Sequence, residues 1–200
     1  MVLGNNRSKR IKETPHDIKP GSSMNTSHVK KAVQTGMLAL CLAATTVLAA
    51  DKGIKVGDTF PNLSEFQLEG KLPDSLKGKV VIVDFWASWC GPCKDSFPVM
   101  EELQAKYGKK GLVILAVNLD EDRPTMDDFL KKHPVTFTVV RDAAKKLVGK
   151  ANIKSMPTSF VVNPDGKVAS VHKGFHGSET QKQYVKEVEG LIGTAVASKE

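Results

Sequence analysis

A chain of 200 residues is long enough to bury one full core and to carry a short additional segment, and its ordinary composition excludes general disorder and a multi-pass membrane protein. The formal net charge of +7 is concentrated at the N-terminus: residues 1–50 hold seven Lys and Arg against two Asp and Glu, whereas residues 51–200 hold twenty-two against twenty. Because the remainder is nearly neutral and has no basic stripe, we predict no nucleic-acid partner.

The N-terminal segment is typical of a secretory signal. Lys30 and Lys31 precede an apolar stretch over residues 32–50, which ends in small residues that fit a cleavage site. We therefore divide the chain into an N-terminal extension with a signal, residues 1–50, and one folded domain, residues 51–200. The domain is expected in the periplasm or in another compartment outside the cytosol, soluble after the signal is cleaved.

Two points about this segment stay open. An uncleaved membrane anchor over residues 32–50 is the alternative to a cleaved signal, because the stretch is about long enough to span a bilayer. It would then be the domain's single link to a membrane. The initiator is Met1 or Met24, since residues 24–31 form a more usual start for such a signal.

Strand and helix patterns alternate along the domain and predict an α/β fold. The predicted elements are, in chain order, a strand-and-turn lead-in over 53–76, strand Val80–Trp86, helix 92–107, strand 112–119, a helix from Asp122, strand 135–140, helix 143–149, a hairpin of strands 160–162 and 168–171, and helix 178–196. Pro98 should kink the first long helix. This order indicates a mixed central sheet flanked by helices, with parallel pairs first and the hairpin last.

Two cysteines stand at the junction of the buried strand and the first long helix, in the sequence Cys90-Gly91-Pro92-Cys93. The first sulfur would lie at the helix N-terminus, where unpaired backbone N–H groups and the helix dipole favour a thiolate. A second thiol within reach supplies what disulfide exchange needs. Loss of Cys41 with the signal would leave this one pair. We therefore predict thiol–disulfide redox chemistry, with no cofactor beyond the Cys90–Cys93 disulfide itself.

Less specific interpretations of these residues stay open. A Cys-x-x-Cys pair can be half of a zinc site, although the chain has no second such pair and we predict no metal site. It can also be a structural disulfide, although so short a loop constrains the unfolded chain little. Asp84 has an alternative interpretation as an exposed acid at a strand end, and we expect His172 and His176 to be solvent-exposed loop residues.

The segment around the cysteines closely resembles the active-site segment of the thioredoxin superfamily. The residues that carry the resemblance are Val83–Ala87, Trp89–Lys94, the helix-kinking Pro98, Met156-Pro157-Thr158 at the family's cis-proline loop, and Gly174 after the hairpin. The signal, the lead-in Val56–Pro61 and an extra helix–strand unit at 121–141 are similar to the TlpA/ResA-like branch of secreted disulfide oxidoreductases. The resemblance implies a thioredoxin-like fold with an extra N-terminal strand or hairpin and an inserted helix–strand unit.

The resemblance also assigns roles to individual residues. Cys90 would attack a substrate disulfide and Cys93 would resolve the mixed disulfide. Asp84 matches the family's buried acid, whose desolvated carboxyl should have a raised pKa and assist the inner thiol. The residues implied in substrate binding are Trp89, Gly91, Pro92, Met156 and Pro157, the last in a cis peptide bond. One departure concerns Asp84: residues 115–118 lack the lysine that approaches this acid in thioredoxin.

The resemblance further implies that the protein acts as a reductant. The Gly-Pro dipeptide between the cysteines is that of thioredoxin, whose potential lies at the reducing end of the family. The expected partners are protein dithiol or disulfide substrates and a membrane thiol-transfer protein as electron donor, for a protein that is itself a monomer. Candidate roles are cytochrome c maturation and general repair. The direction in vivo, reduction or oxidation, stays open.

Two other functions fit parts of the sequence. A peroxiredoxin-like peroxidase with antioxidant activity shares the lead-in Val56–Pro61, but the Pro-x-x-x-Thr/Ser pattern that usually precedes a peroxidatic cysteine is absent before Cys90. A copper-binding chaperone on the same fold would use Cys90, Cys93 and either His172 or His176. Such chaperones usually separate their cysteines by three residues, whereas two residues separate them here.

Overall fold

The computed structural model describes residues 53–197, which form a five-stranded mixed sheet with helices packed on both faces. The strands are β1 (Val80–Trp86), β2 (Leu112–Asn118), β3 (Thr138–Arg141), β4 (Thr158–Val162) and β5 (Val168–Lys173), in the sheet order β3-β2-β1-β4-β5. The helices are α1 (Gly91–Tyr107), α2 (Arg123–Lys132), α3 (Lys146–Ala151) and α4 (Ser178–Ala197), with 3-10 helices over Leu63–Phe66 and Gly108–Lys110. The predicted α/β thioredoxin-like fold is confirmed.

The central strand explains why the sheet has two cores. All seven residues of β1 are buried, because β2 pairs with it in parallel on one side and β4 antiparallel on the other. Its side chains alternate between the faces. Ile82 and Trp86 belong to a core that includes residues of α1, α2 and α4, while Val83 and Phe85 belong to a core covered by α3 and the lead-in. Asp84 therefore points into the core beneath α1 and α4.

Two elements begin later in the chain than predicted. β3 begins at Thr138, because the backbone N–H and the hydroxyl of Thr136 both donate to the Glu101 carboxylate of α1, at 2.6 and 2.8 Å, and hold this residue outside the ladder. α3 begins three residues after position 143, because the Asp142 carboxylate accepts the backbone N–H groups of two residues in its first turn, at 3.0 and 2.8 Å.

The lead-in forms less regular structure than predicted. Instead of a strand or hairpin, it makes two single-residue bridges, Thr59 with Lys167 at one edge of the sheet and Glu69 with Arg141 at the other. Between them lies the first 3-10 helix, which ends at Gln67 in the left-handed region with φ 53° and interrupts any extended run. Apolar side chains of this segment pack on the core covered by α3.

The predicted signal and the candidate initiators lie outside the described residues. Within residues 53–197, no helix has the length and apolar character needed to cross a bilayer.

Candidate redox site

Cys90 and Cys93 form a disulfide at the N-terminus of α1. Cys90 is the N-cap: its backbone is extended, and its Sγ accepts the backbone N–H of Cys93 at 3.3 Å. Pro92 in the first turn suits a helix start, because it has no N–H to satisfy there. The outer sulfur therefore lies where N–H groups and the positive end of the helix dipole stabilise a thiolate. Cys93 is fully buried behind it.

The residues implied in substrate binding include an exposed ring and a buried proline. The Trp89 side chain is 69% exposed, which is unusual for tryptophan, and Gly91 and Pro92 are also exposed. The Met156–Pro157 peptide bond is cis, as the resemblance implies, and the carbonyl of Pro157 accepts the N–H of Gly174 at 2.7 Å. Met156 is half-buried and packs against the same core cluster that contains both cysteines.

Asp84 lies in β1 with only 1% of its surface exposed, so its interpretation as an exposed strand-end acid is wrong. Its Oδ1 accepts the hydroxyl of Ser159 at 2.6 Å, whereas its Oδ2 has no hydrogen-bond partner among the described residues. Burial raises the pKa of Asp84 to about 7, and the Ser159 hydrogen bond, which favours the carboxylate, offsets only part of that effect. A carboxyl with this pKa can exchange a proton near neutral pH.

The expected departure from thioredoxin is present in the sheet. The residue beside Asp84 on β2 is Ala116. Burial and the Ser159 hydrogen bond are the two causes of the shift in the pKa of Asp84, so within residues 53–197 no lysine compensates the carboxylate. On the other side the register places Ser159 of β4 opposite Asp84. The polar contact of Asp84 is thus a neutral hydroxyl on β4, and the position on β2 that faces it carries only a methyl group.

A model of the Redoxin family matches residues 55–189 of this chain. The chain belongs to the Redoxin family. It is 36% identical over 142 residues to the thiol-disulfide oxidoreductase ResA of Bacillus cereus, which covers 70% of this chain and 82% of that protein. It is also 33% identical over 150 residues to ResA of Bacillus subtilis, covering 71% and 84%.

A solved structure supports the same assignment. The crystal structure of a Chlorobium tepidum protein assigned as the thiol:disulfide interchange protein DsbE is 38% identical, covers 70% of this chain and 99% of that chain, and superposes with a TM-score of 0.64. With its Cys90–Cys93 pair at the N-terminus of α1, this Redoxin-family chain is a thiol–disulfide oxidoreductase.

A buried carboxylate that the motif did not reveal holds the loop before the cysteines of this Redoxin-family protein. Asp120, 1% exposed, accepts the backbone N–H of Ser88 at 3.1 Å, the Ser88 hydroxyl at 3.0 Å and the Asn118 amide at 2.9 Å. The backbone carbonyl of Asp120 in turn accepts from Arg141 and Lys145, at 3.3 and 3.1 Å. The end of β2 therefore fixes the backbone two residues before Cys90.

Arg141 extends this anchor to the lead-in. Its guanidinium makes two hydrogen bonds with the Glu69 carboxylate, at 2.9 and 3.0 Å, and a further one with the carbonyl of Glu121 at 2.9 Å. The hydrogen bonds that Arg141 donates to the Glu69 carboxylate raise the pKa of Arg141, so the pair stays ionised. The lead-in and the helix–strand unit are thus bound to the segment that carries Asp120.

The prediction that His172 is an exposed loop residue is wrong. Its side chain lies on β5 with 11% exposure, its Nε2 is 2.9 Å from the Glu187 carboxylate of α4, and its ring packs against Tyr184. Ser170 donates to the same carboxylate at 2.6 Å. Among residues 53–197, no three His, Cys, Asp or Glu side chains are grouped as a metal site requires. His172 is therefore held in a structural contact between sheet and helix.

Proposed function

We propose that this protein is an extracytoplasmic disulfide reductase whose reductant is the dithiol form of Cys90 and Cys93. The observation that carries the proposal is the position of the two sulfurs at the start of α1. The Cys90 sulfur caps the helix and accepts the Cys93 N–H, while Cys93 has no exposed surface. This arrangement favours an outer thiolate that attacks first and an inner thiol that reacts only with a partner already bound to Cys90.

The proposed reaction has two exchange steps. The Cys90 thiolate attacks one sulfur of a client disulfide and expels the other client sulfur as a thiolate, which takes a proton from solvent. Cys93 then gives its proton to Asp84 and attacks the Cys90 sulfur. This step expels the second client sulfur as a thiolate, which takes a proton from solvent, and closes the Cys90–Cys93 disulfide; Asp84 then releases the proton it took. The client gains two electrons and the cysteine pair is oxidised, with no cofactor required.

The client would bind as an extended peptide across the exposed edge of the site. Met156 precedes the cis bond to Pro157 and offers its backbone groups, since the proline itself has no N–H. Trp89 provides an exposed apolar ring at this edge, and Gly91 and Pro92 lie exposed beside the sulfurs. We assign protein disulfides rather than small-molecule disulfides as substrates, because an exposed tryptophan next to the site suits docking of a protein surface.

The location and partners follow from the sequence. A signal or anchor in residues 1–50 would place the domain, residues 51–200, outside the cytosol. A reductant in an oxidising compartment must be re-reduced after each turnover, so we infer a membrane thiol-transfer protein as electron donor. The haem-attachment cysteines of apocytochrome c are the proposed clients, because they must be reduced before haem is attached.

A matched pair of variants tests this proposal. All variants are full-length and carry Cys41→Ala, so that no third thiol can form an adduct. Reduced Cys93→Ser, mixed with the disulfide form of an apocytochrome c or with insulin, should accumulate a client adduct that dithiothreitol releases. Cys90→Ser should form none, and the wild type should turn over without accumulating the adduct. Equal adducts in both variants, or consumption of hydrogen peroxide in place of protein disulfides, would contradict the reductase assignment. Sequencing of the mature N-terminus from cells tests the signal.

A further inference from the structure

The two carboxylate oxygens of Asp84 have different surroundings. Oδ1 lies 2.6 Å from the Ser159 hydroxyl oxygen, which donates to it, and Oδ2 has no partner among the residues that the structure describes. The Ser159 oxygen lies also 2.8 Å from the phenol oxygen of Tyr184. All three residues are at most 2% exposed, so water does not compete freely for these atoms. The three side chains join β1, β4 and α4 in one buried chain.

The number of available protons determines which group donates each hydrogen bond among Asp84, Ser159 and Tyr184. A serine hydroxyl has one proton, and Ser159 gives it to Asp84 Oδ1, so the phenol of Tyr184 must donate to the Ser159 oxygen. Burial raises the pKa of Tyr184, which keeps the phenol protonated and able to donate. Hydrogen bonds in such a chain polarise one another, and each strengthens the next. Oδ1 is therefore engaged as an acceptor, and the free position for a proton is Oδ2.

We propose that Ser159 and Tyr184 are positioning residues for the proton transfer at Asp84: they hold Oδ1 and leave Oδ2 as the atom that takes the Cys93 proton. This inference rests on the proposed function, in which Asp84 is the base for Cys93. When the Cys93 thiolate forms and attacks Cys90, the proton resides on Oδ2, and it leaves after the disulfide has closed. Neither Ser159 nor Tyr184 changes its own protonation state.

Within the described part of the protein, no charged side chain packs directly on Asp84 and alters its proton affinity. Its neighbour on β2 is Ala116, and α1 contributes the sulfur of Cys93 to the same core. From α4, Tyr184 reaches the chain, and the Glu187 carboxylate acts on that phenol while it is itself paired with His172. The hydroxyl of Ser159 is thus the polar contact that adjusts the proton affinity of Asp84.

The first measurement uses the disulfide form, in which the cysteines do not titrate. The Asp84 carboxyl carbon is followed by ¹³C NMR against pH in the full chain. Removal of a hydrogen bond that favours the carboxylate should raise the titration midpoint by about one pH unit in Ser159→Ala. Tyr184→Phe should raise it by less. Ser170→Ala is the matched control, because its hydroxyl contacts Glu187 and not Asp84, and it should leave the midpoint unchanged.

The second measurement links this midpoint to the reaction. Reduced full chain carrying Cys41→Ala reacts with 5,5′-dithiobis(2-nitrobenzoate), and the second release of coloured thiolate reports the attack of Cys93 on the mixed disulfide. In Ser159→Ala the pH profile of this second release should shift to higher pH by the same amount as the midpoint. The rate of the second release at pH 7 should therefore fall about fivefold. In the background of Asp84→Asn, the Ser159 substitution should have no further effect on the profile.

The outcomes separate the two proposals. An unchanged midpoint in Ser159→Ala overturns the positioning role, and so does a shifted midpoint with an unchanged second release. Failure of the wild type to react in the first release would instead overturn the proposed function, because that event depends on Cys90 and not on Asp84.

Discussion

Asp84→Asn should stabilise the oxidised protein at alkaline pH and bring little of that gain in acid. Burial raises the pKa of Asp84 from 3.8 to about 7. Between these two values the folded protein binds a proton that the unfolded chain has lost, so the free energy of unfolding falls as the pH rises. At 1.36 kcal/mol per pH unit, the loss amounts to about 4 kcal/mol, and asparagine, which does not ionise, avoids it.

The assay is denaturation of the disulfide form in urea at pH 4 and pH 8. In this form neither cysteine titrates, so the pH-dependent difference between wild type and Asp84→Asn belongs to the carboxyl. The new amide nitrogen at the position of Oδ2 is an unpaired buried donor, which costs about 1–3 kcal/mol at every pH and therefore cancels in the comparison. The difference in stability should grow by about 4 kcal/mol from pH 4 to pH 8.

Asp165→Asn is the matched control, because Asp165 lies exposed in the β4–β5 turn and the same change there should alter stability little at either pH. A stability difference for Asp84→Asn that is equal at pH 4 and pH 8 would refute the reasoning. It would mean that the carboxyl ionises as easily in the folded protein as in the unfolded chain.

Three further predictions concern the surroundings of the cysteines. Asp120→Ala should lower the free energy of unfolding by about 2–4 kcal/mol in urea, because it leaves the buried donors of Ser88 and Asn118 unpaired, and an unchanged stability would show that this anchor is not needed. Arg141→Lys keeps the charge but loses the two-bonded contact with Glu69, so a loss of about 1–2 kcal/mol is expected, and no loss would show that charge alone suffices. Trp89→Ala should change stability by less than about 0.5 kcal/mol. It should raise KM for a protein disulfide several-fold without slowing the reaction with a small disulfide, and equal effects on both substrates would exclude a role in docking.

The sequence predicted the parts of the site that local pattern determines. The buried run before Cys90, the proline after it and the apolar face of the next helix all agree on one strand–turn–helix unit, and α1 and β1 occur where expected. The motif Met156-Pro157-Thr158 indicated the cis bond through resemblance. Short-range chemistry was enough in these segments.

The partners of these residues depend on register between distant strands, which the pattern does not contain. Ser159 meets Asp84 because β4 pairs antiparallel with β1 in one register, and a shift of one residue would turn its hydroxyl to the other face. Asp120 and Ser88 lie 32 residues apart and meet only because β1 and β2 end together. His172 comes just after the predicted strand 168–171 and was therefore expected in a loop, but Glu187 and Tyr184 of α4 bury it.

The reduction potential of the Cys90–Cys93 pair tests the central claim most directly. The oxidised and reduced forms would be equilibrated in redox buffers, and the fraction reduced followed by thiol alkylation. A reductase should have a potential near that of thioredoxin, about −270 mV. A potential near −120 mV, roughly the value typical of a strong disulfide-forming oxidant, would contradict the account.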